Sequence, residues 1–162
     1  MYIVSLLALS AMATTAIAGE NHIKFAFSSS TSLGLRGSGT SYSKDFKLFD
    51  NDGNILFESG KDLPTCARYT NHIEISSDCW DGIWDFSCGS SFSGMPGACS
   101  AYAPDGKEIK GKASDHFTPD FTGNGQEGEC SGTITTHSDG ECTKDSLVKI
   151  IRTYRGKYTH DK

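Results

Sequence analysis

The chain has 162 residues, a formal net charge of −5 and six cysteines. An acidic balance of this size argues against a general nucleic-acid binder and against a protein held to anionic lipid by charge, because both need a positive surface. Nucleic acid is therefore not expected as a primary partner. The length suits one domain and not comfortably two.

Residues 1–18 predict a secretory signal peptide. They carry no charged side chain and end in Ala16-Ile17-Ala18, the small-x-small pattern that signal peptidase recognises. The apolar run is too short for a membrane span, and no later span or lipid-anchor signal follows. We therefore expect a secreted protein without a membrane anchor, whose mature chain, 19–162, forms one disulfide-stabilised domain.

The first half of this domain shows strand and turn signals in alternation. Residues 23–27 alternate apolar with other side chains and predict a strand. Segment 28–43 is rich in Ser, Thr and Gly, which predicts a flexible loop or linker, with an edge strand as the alternative. An Asp-Gly pair at the centre of 45–57 predicts a hairpin. Segments 72–75 and 80–88 predict two further strands.

The second half continues the pattern. A Pro-Asp-Gly turn divides 98–113 into a second hairpin, 123–128 predicts a glycine-rich loop, and 133–136 is a β-branched run. Segment 147–155 is ambiguous, because its apolar residues recur at helical spacing but are largely β-branched. The helix is slightly favoured. The sequence thus predicts a mainly β fold, a small antiparallel sandwich or barrel with, on this interpretation, one C-terminal helix.

The cysteines predict a disulfide framework. An even count together with a secretory route favours bridges, and six cysteines allow fifteen pairings. Pairing of sequence neighbours (66 with 79, 88 with 99, 130 with 142) is the favoured single option, since each bridge would close a short loop. Zinc is not expected, because no Cys-x-x-Cys or His-x₃₋₅-His spacing occurs, and no other metal or cofactor is predicted. The six are Cys66, Cys79, Cys88, Cys99, Cys130 and Cys142.

His72 and Glu74 form the one candidate catalytic pair. Two residues apart on a predicted strand, they point to the same face. With a second histidine such as His116 or His137 nearby, they could supply the general base and acid for phosphodiester cleavage. The pair resembles the small secreted ribonucleases of fungi, which use Glu and His on a β-sheet. A polar strand face is the simpler interpretation of so short a pattern, and it is the one we favour.

Two tryptophans suggest a sugar site. Trp80 and Trp84 lie close to Asp81 and Asp85, and indole faces with carboxylates are suited to glycan binding or glycosidase chemistry. Trp80, Trp84 and Phe86 fall on one strand face between two cysteines, however. That placement is typical of the core of a disulfide-bonded domain, and we favour the core.

The architecture as a whole resembles the small secreted cysteine-rich proteins of filamentous fungi, many of which act as effectors. The resemblance rests on the signal, the Ser/Gly-rich segment and the six cysteines, with the β-barrel allergens and elicitors of that group nearest in shape. It assigns no functional residue. It implies a secreted binding protein directed at a host extracellular protein or glycan. A small extracellular hydrolase and a structural cell-wall protein are the alternatives.

Exposed loops on the rigid sheet are the expected contact surface of such a binding protein. The candidates are 28–43, 90–97 and 123–128. Most of the charged side chains from Lys144 onward are basic. A solvated face is the interpretation that we favour for them, and a patch that steers the protein toward an acidic partner is the alternative.

Overall fold

The computed structural model describes residues 19–34, 40–60, 63, 66, 70–91, 93–120 and 123–156. Among these residues there are ten strands and no helix, and hence no helix that is long and apolar enough to cross a membrane. The strands are β1 Gly19–Gly34, β2 Thr40–Phe49, β3 Ile55–Glu58, β4 Asn71–Ser77, β5 Trp80–Ser90, β6 Pro96–Tyr102, β7 Glu108–Lys110, β8 Lys112–Asp120, β9 Gly123–Ser138 and β10 Val148–Arg155.

The strands form two antiparallel sheets packed face to face. The first has the order β3-β2-β1-β9-β8 and the second the order β10-β4-β5-β6-β7. Alternating apolar residues of each sheet meet in one core, where the Phe86 ring of the second sheet lies 5.6 Å from Phe25 and 5.3 Å from Phe46 of the first. The prediction of a disulfide-stabilised, mainly β antiparallel fold is confirmed, and the fold is a sandwich.

The chain passes from one sheet to the other at Gly111. The turn predicted within 98–113 is present, but only β7 continues that hairpin, and β8 pairs with β9 in the first sheet. A Cβ on Gly111 would lie 2.4 Å from the Cys99 sulfur and 2.9 Å from the Ser131 carbonyl oxygen. The crossing therefore requires glycine, because neither a disulfide sulfur nor a sheet carbonyl can move aside easily.

Both segments expected to be loops contribute to the first sheet. β1 and β2 pair without interruption from Lys24 opposite Phe49 to Leu33 opposite Thr40. The 123–128 segment lies between β1 and β8 in β9. The loop predictions for 28–34, 40–43 and 123–128 are therefore wrong, and 35–39 lies outside the described residues. The Ser, Thr and Gly content of these segments was a misleading signal. The backbone N–H and C=O groups of a strand paired on both sides are hydrogen-bonded whatever its side chains are.

The helix favoured for 147–155 is also wrong, since β10 occupies this segment and pairs with β4. A bulge explains the misleading spacing. The register shifts between Ile150 and Arg152, so Ile151 is an extra residue that interrupts the strand's two-residue alternation. High strand propensity was the more informative signal.

The disulfides connect segments that are distant in sequence. The bridges are Cys66–Cys88, Cys79–Cys142 and Cys99–Cys130, so the neighbour pairing is wrong. The third bridge shows the reason. Cys99 and Cys88 lie opposite each other on adjacent strands of one hairpin, whereas Cys99 bonds across the sandwich to Cys130 in β9. None of the three bridges joins residues that lie opposite each other in a backbone ladder of the described strands.

The hairpin predicted over 45–57 is confirmed and is organised by Asp50. Its carboxylate accepts the backbone N–H groups of Asp52 (2.9 Å) and Asn54 (2.8 Å) and the Asn54 side-chain amide (3.0 Å). Burial alone would raise the pKa of Asp50, but the hydrogen bonds from Asn54 and Asp52 together outweigh it and lower the pKa.

Candidate binding site at an edge strand

His72 and Glu74 lie on the outer face of the second sheet. His72 stands opposite Tyr154 of β10, and Glu74 stands opposite Arg152 of the same strand. On the other side their neighbours belong to β5. The prediction that both residues point to one face is therefore confirmed, and the residues that surround them show what this face does.

The imidazole of His72 is buried, with the residue only 1% exposed. Its Nδ1 lies 2.8 Å from Oδ2 of Asp85, which also accepts a 2.8 Å hydrogen bond from the Tyr154 hydroxyl. The Tyr154 ring stacks on the imidazole, with ring centroids 4.6 Å apart and planes at 10°. A substrate cannot reach an imidazole covered in this way.

Glu74 is occupied by Arg152. The guanidinium donates from Nε to Oε2 (2.7 Å) and from Nη2 to Oε1 (2.6 Å), a bidentate, charge-assisted pair. The same guanidinium lies 4.9 Å from the centroid of the Tyr154 ring. Glu74 and His72 thus serve as contacts for β10.

The Tyr154 hydroxyl donates to Asp85, and its surroundings favour the protonated form. Burial, the hydrogen bond to Asp85 and the charge of that carboxylate all raise the pKa of Tyr154 far above the ordinary tyrosine value. As pH rises, this hydroxyl therefore keeps its proton, and its hydrogen bond between β10 and β5, beyond the pH at which an ordinary tyrosine ionises.

The other residues suggested for catalysis or sugar binding are not assembled around His72. His137 lies on β9 in the other sheet, and His116 lies on β8 with its side chain outside the described residues. Trp80 and Trp84 are 4% and 5% exposed, so the prediction that they belong to the core is confirmed. Among the described residues, no group of three or more His, Cys, Asp or Glu side chains is placed to hold a metal ion.

β10 is an edge strand with an unusual surface. Among the strands that the structure describes, it pairs with β4 alone, and six of its eight residues are exposed. Five large hydrophobic side chains are exposed in the described part of the chain. Two of them lie in β10, Ile150 at 36% and Ile151 at 50%, and a third, Leu147 at 54%, immediately precedes it. An exposed edge with adjacent apolar side chains can pair with a further strand.

Basic side chains accompany these apolar ones. Lys149 and Arg155 are exposed and, within the described residues, form no ion pair, whereas Arg152 is neutralised by Glu74. The whole chain carries a net charge of −5. The β10 edge is thus a basic strip on an acidic protein.

The strand is also fixed in position at both ends. At its start, the Leu147 N–H donates to Oδ1 of Asp78 (2.9 Å), and the Leu147 carbonyl accepts from the Asp78 N–H (3.3 Å). At its end, the Gly156 N–H donates to the Thr70 carbonyl (3.1 Å). With the His72 and Glu74 contacts between them, these bonds order the edge before any partner arrives, which lowers the entropic cost of binding.

Sequence patterns could not have identified this arrangement. The basic composition after Lys144 was visible, but the pairing of Tyr154 and Arg152 with β4 and β5 depends on a register set by the bulge at Ile151. Of the predicted contact loops, residues 28–34, 40–43 and 123–128 contribute strands instead. Ser28, Ser29, Ser30 and Ser43, with Glu127 and Glu129, line a cavity of about 410 Å³.

In comparisons with known proteins, no family model, curated protein or solved structure matches this chain.

Proposed function

We propose that this chain is a secreted, effector-type binding protein that docks to an extracellular host protein through the edge of β10. The observation that carries the proposal is the exposed, basic, apolar edge of β10, held in place by His72, Glu74 and Asp85. The partner contributes an extended segment that pairs with β10 and extends the second sheet. Main-chain hydrogen bonds supply much of the affinity, and side chains at alternate positions supply the specificity.

The charge of β10 selects the partner. Lys149 and Arg155 favour an extended segment that carries Asp or Glu, since opposite charges across a strand pair are stabilising. The same lysine and arginine oppose self-association, because two β10 strands paired with each other would bring like charges together. Ile150 and Ile151 contribute apolar contact to the bound segment.

Secretion is part of the proposal and is supported by two observations. Three disulfides with no free cysteine are compatible with an oxidising extracellular environment, and residues 1–18 have the pattern of a signal peptide. Expression of the full chain in a secreting eukaryotic cell, followed by N-terminal sequencing of the medium, should yield a protein that begins at Gly19. Retention inside the cell would contradict the assignment.

The test of binding is a comparative pull-down. Tagged Gly19–Lys162 is incubated with the extracellular fluid of a candidate host, and captured proteins are identified by mass spectrometry. Two β10 variants, Lys149→Glu and Ile151→Asp, are run in parallel with two controls. Lys110→Glu reverses an exposed lysine on β7, the opposite edge of the same sheet, and Ile55→Asp alters a 45% exposed isoleucine on β3.

A protein captured by the parent and both controls, but lost with both β10 variants, supports docking through β10. The captured protein should also be displaced by excess untagged domain. Capture that survives Lys149→Glu and Ile151→Asp would refute the role of β10, and so would equal loss with the control variants. Melting temperatures of all four variants verify that each is folded.

A further inference from the structure

A second strand edge is left open in the first sheet. β8 pairs with β9 only as far as Lys112 opposite Ser131, whereas β9 continues to Ser138 and pairs with β1 throughout. Among the described residues, no strand pairs with β9 on the β8 side from Thr133 onward. The backbone N–H and C=O groups on that side of the segment therefore lack sheet partners.

The open edge borders a cleft between the two sheets. Its volume is about 620 Å³, and the β6–β7 turn forms its far wall. Gly82 adopts φ +77° and packs so closely on Pro104 that a Cβ would lie 2.5 Å from that ring, which fixes this wall in position. The residues that line the cleft include Asp81, Trp84, Ile109, Thr133, Thr136 and His137.

Thr136 provides an independent indication of a ligand. The residue is 4% exposed and lines the cleft, and its Oγ1 is buried without a hydrogen-bond partner among the described residues. Buried hydroxyls in native proteins nearly always have a partner. A ligand in the cleft that donates a hydrogen bond would satisfy this oxygen.

The remaining cleft residues indicate which ligand would fit. Ile109 is partly exposed and offers apolar surface, and the exposed Asp81 carboxylate forms no ion pair among the described residues. A lysine or arginine side chain matches all three features, because its alkyl stem packs on apolar surface while its charged head pairs with a carboxylate and donates to a hydroxyl. Trp84 is only 5% exposed, too little for its ring face to stack on a sugar.

We propose that this cleft binds an extended peptide segment that pairs with the free edge of β9 at 133–137 and inserts a lysine or arginine side chain toward Asp81 and Thr136. The free edge of β9 belongs to the first sheet, whereas β10 is an edge of the second, and the cleft takes a partner segment of opposite charge. It is therefore independent of the function proposed above.

A library of displayed random decapeptides is the probe for this site. Selection against folded Gly19–Lys162 should enrich extended sequences that contain lysine or arginine. Thr136→Val removes the hydroxyl while retaining the shape, and Asp81→Asn removes the charge at an exposed site, so both should fold. Each variant should weaken the selected peptide about tenfold, the effect of losing one charge-assisted hydrogen bond. Asp139→Asn, an exposed neighbour outside the cleft, should leave affinity unchanged.

Amide chemical-shift mapping supplies the second readout. The peptide should perturb residues 133–137 and slow their hydrogen exchange, and Lys149→Glu in β10 should have no effect. Three outcomes would overturn the proposal: selected peptides without a basic residue, affinity unaffected by both Thr136→Val and Asp81→Asn, or shifts confined to other strands. Binding of a saccharide in the cleft in place of a peptide would overturn it as well.

Discussion

Removal of the Cys79–Cys142 bridge should destabilise this protein more than removal of Cys66–Cys88. The first pair is separated by 63 residues in sequence and the second by 22. In the chain-entropy model, the two bridges restrict the unfolded chain by about 4 and about 3 kcal/mol respectively. A domain of ordinary stability, about 5–15 kcal/mol, would thus lose a large part of its free energy of unfolding with the longer bridge.

Paired alanine variants test this order. Cys79→Ala/Cys142→Ala and Cys66→Ala/Cys88→Ala remove the same atoms from buried positions, so the cost of the cavity is similar in both. Urea unfolding of Gly19–Lys162 measures the free energies, with unchanged folded-state circular dichroism as the control. We expect the first variant to be about 1 kcal/mol less stable than the second. Equal stability or the reverse order would refute the reasoning, and a non-reducing peptide map that links Cys66 to Cys79 would refute the pairing itself.

Three further predictions concern single residues. Asn21 is 1% exposed and its side-chain oxygen accepts the Cys142 N–H at 2.9 Å. Asn21→Ala leaves that N–H unsatisfied and should lower the free energy of unfolding by about 2 kcal/mol in urea titrations. Gly111→Ala should destabilise the sheet crossing strongly in thermal melts, whereas Gly140→Ala, where an added Cβ meets nothing within 4 Å, should not. The folded-state pKa of Asp50 is lowered. Its carboxylate therefore adds to the free energy of unfolding above the ordinary aspartate pKa, and this contribution is lost as pH falls through the folded-state pKa. In urea titrations, the difference in free energy of unfolding between the parent and Asp50→Asn should therefore decrease as pH is lowered. A difference that increases at low pH would contradict this.

Much of the fold was accessible from the sequence because it rests on local signals. The alternation of Ile23, Phe25 and Phe27 gave the buried face of β1, and the Asp-Gly pair after Asp50 gave the first hairpin. Local signals failed where hydrogen bonding to neighbouring strands determines whether a segment is a strand or a loop. Ser28 to Gly34 has the composition of a linker, yet it is a strand because β2 and β9 bond to its backbone on both sides.

The candidate site was less accessible because it depends on contacts distant in sequence. His72 and Glu74 were correctly placed on one face, but the sequence did not indicate that Tyr154 and Arg152 would cover them. That arrangement follows from one bulge at Ile151, which sets the register of β10 against β4. The disulfide pairing failed for the same reason, since Cys99 and Cys130 meet only when the two sheets pack.

Hydrogen–deuterium exchange on the complex with the captured host protein tests the central claim most directly. Amides of β10 that face away from β4 exchange with solvent in the isolated protein and should become protected when a partner strand pairs with them. The account predicts added protection confined to 148–155 and absent in the Lys149→Glu variant. Protection elsewhere on the sandwich, with β10 exchanging as it does in the isolated protein, would contradict docking through this edge.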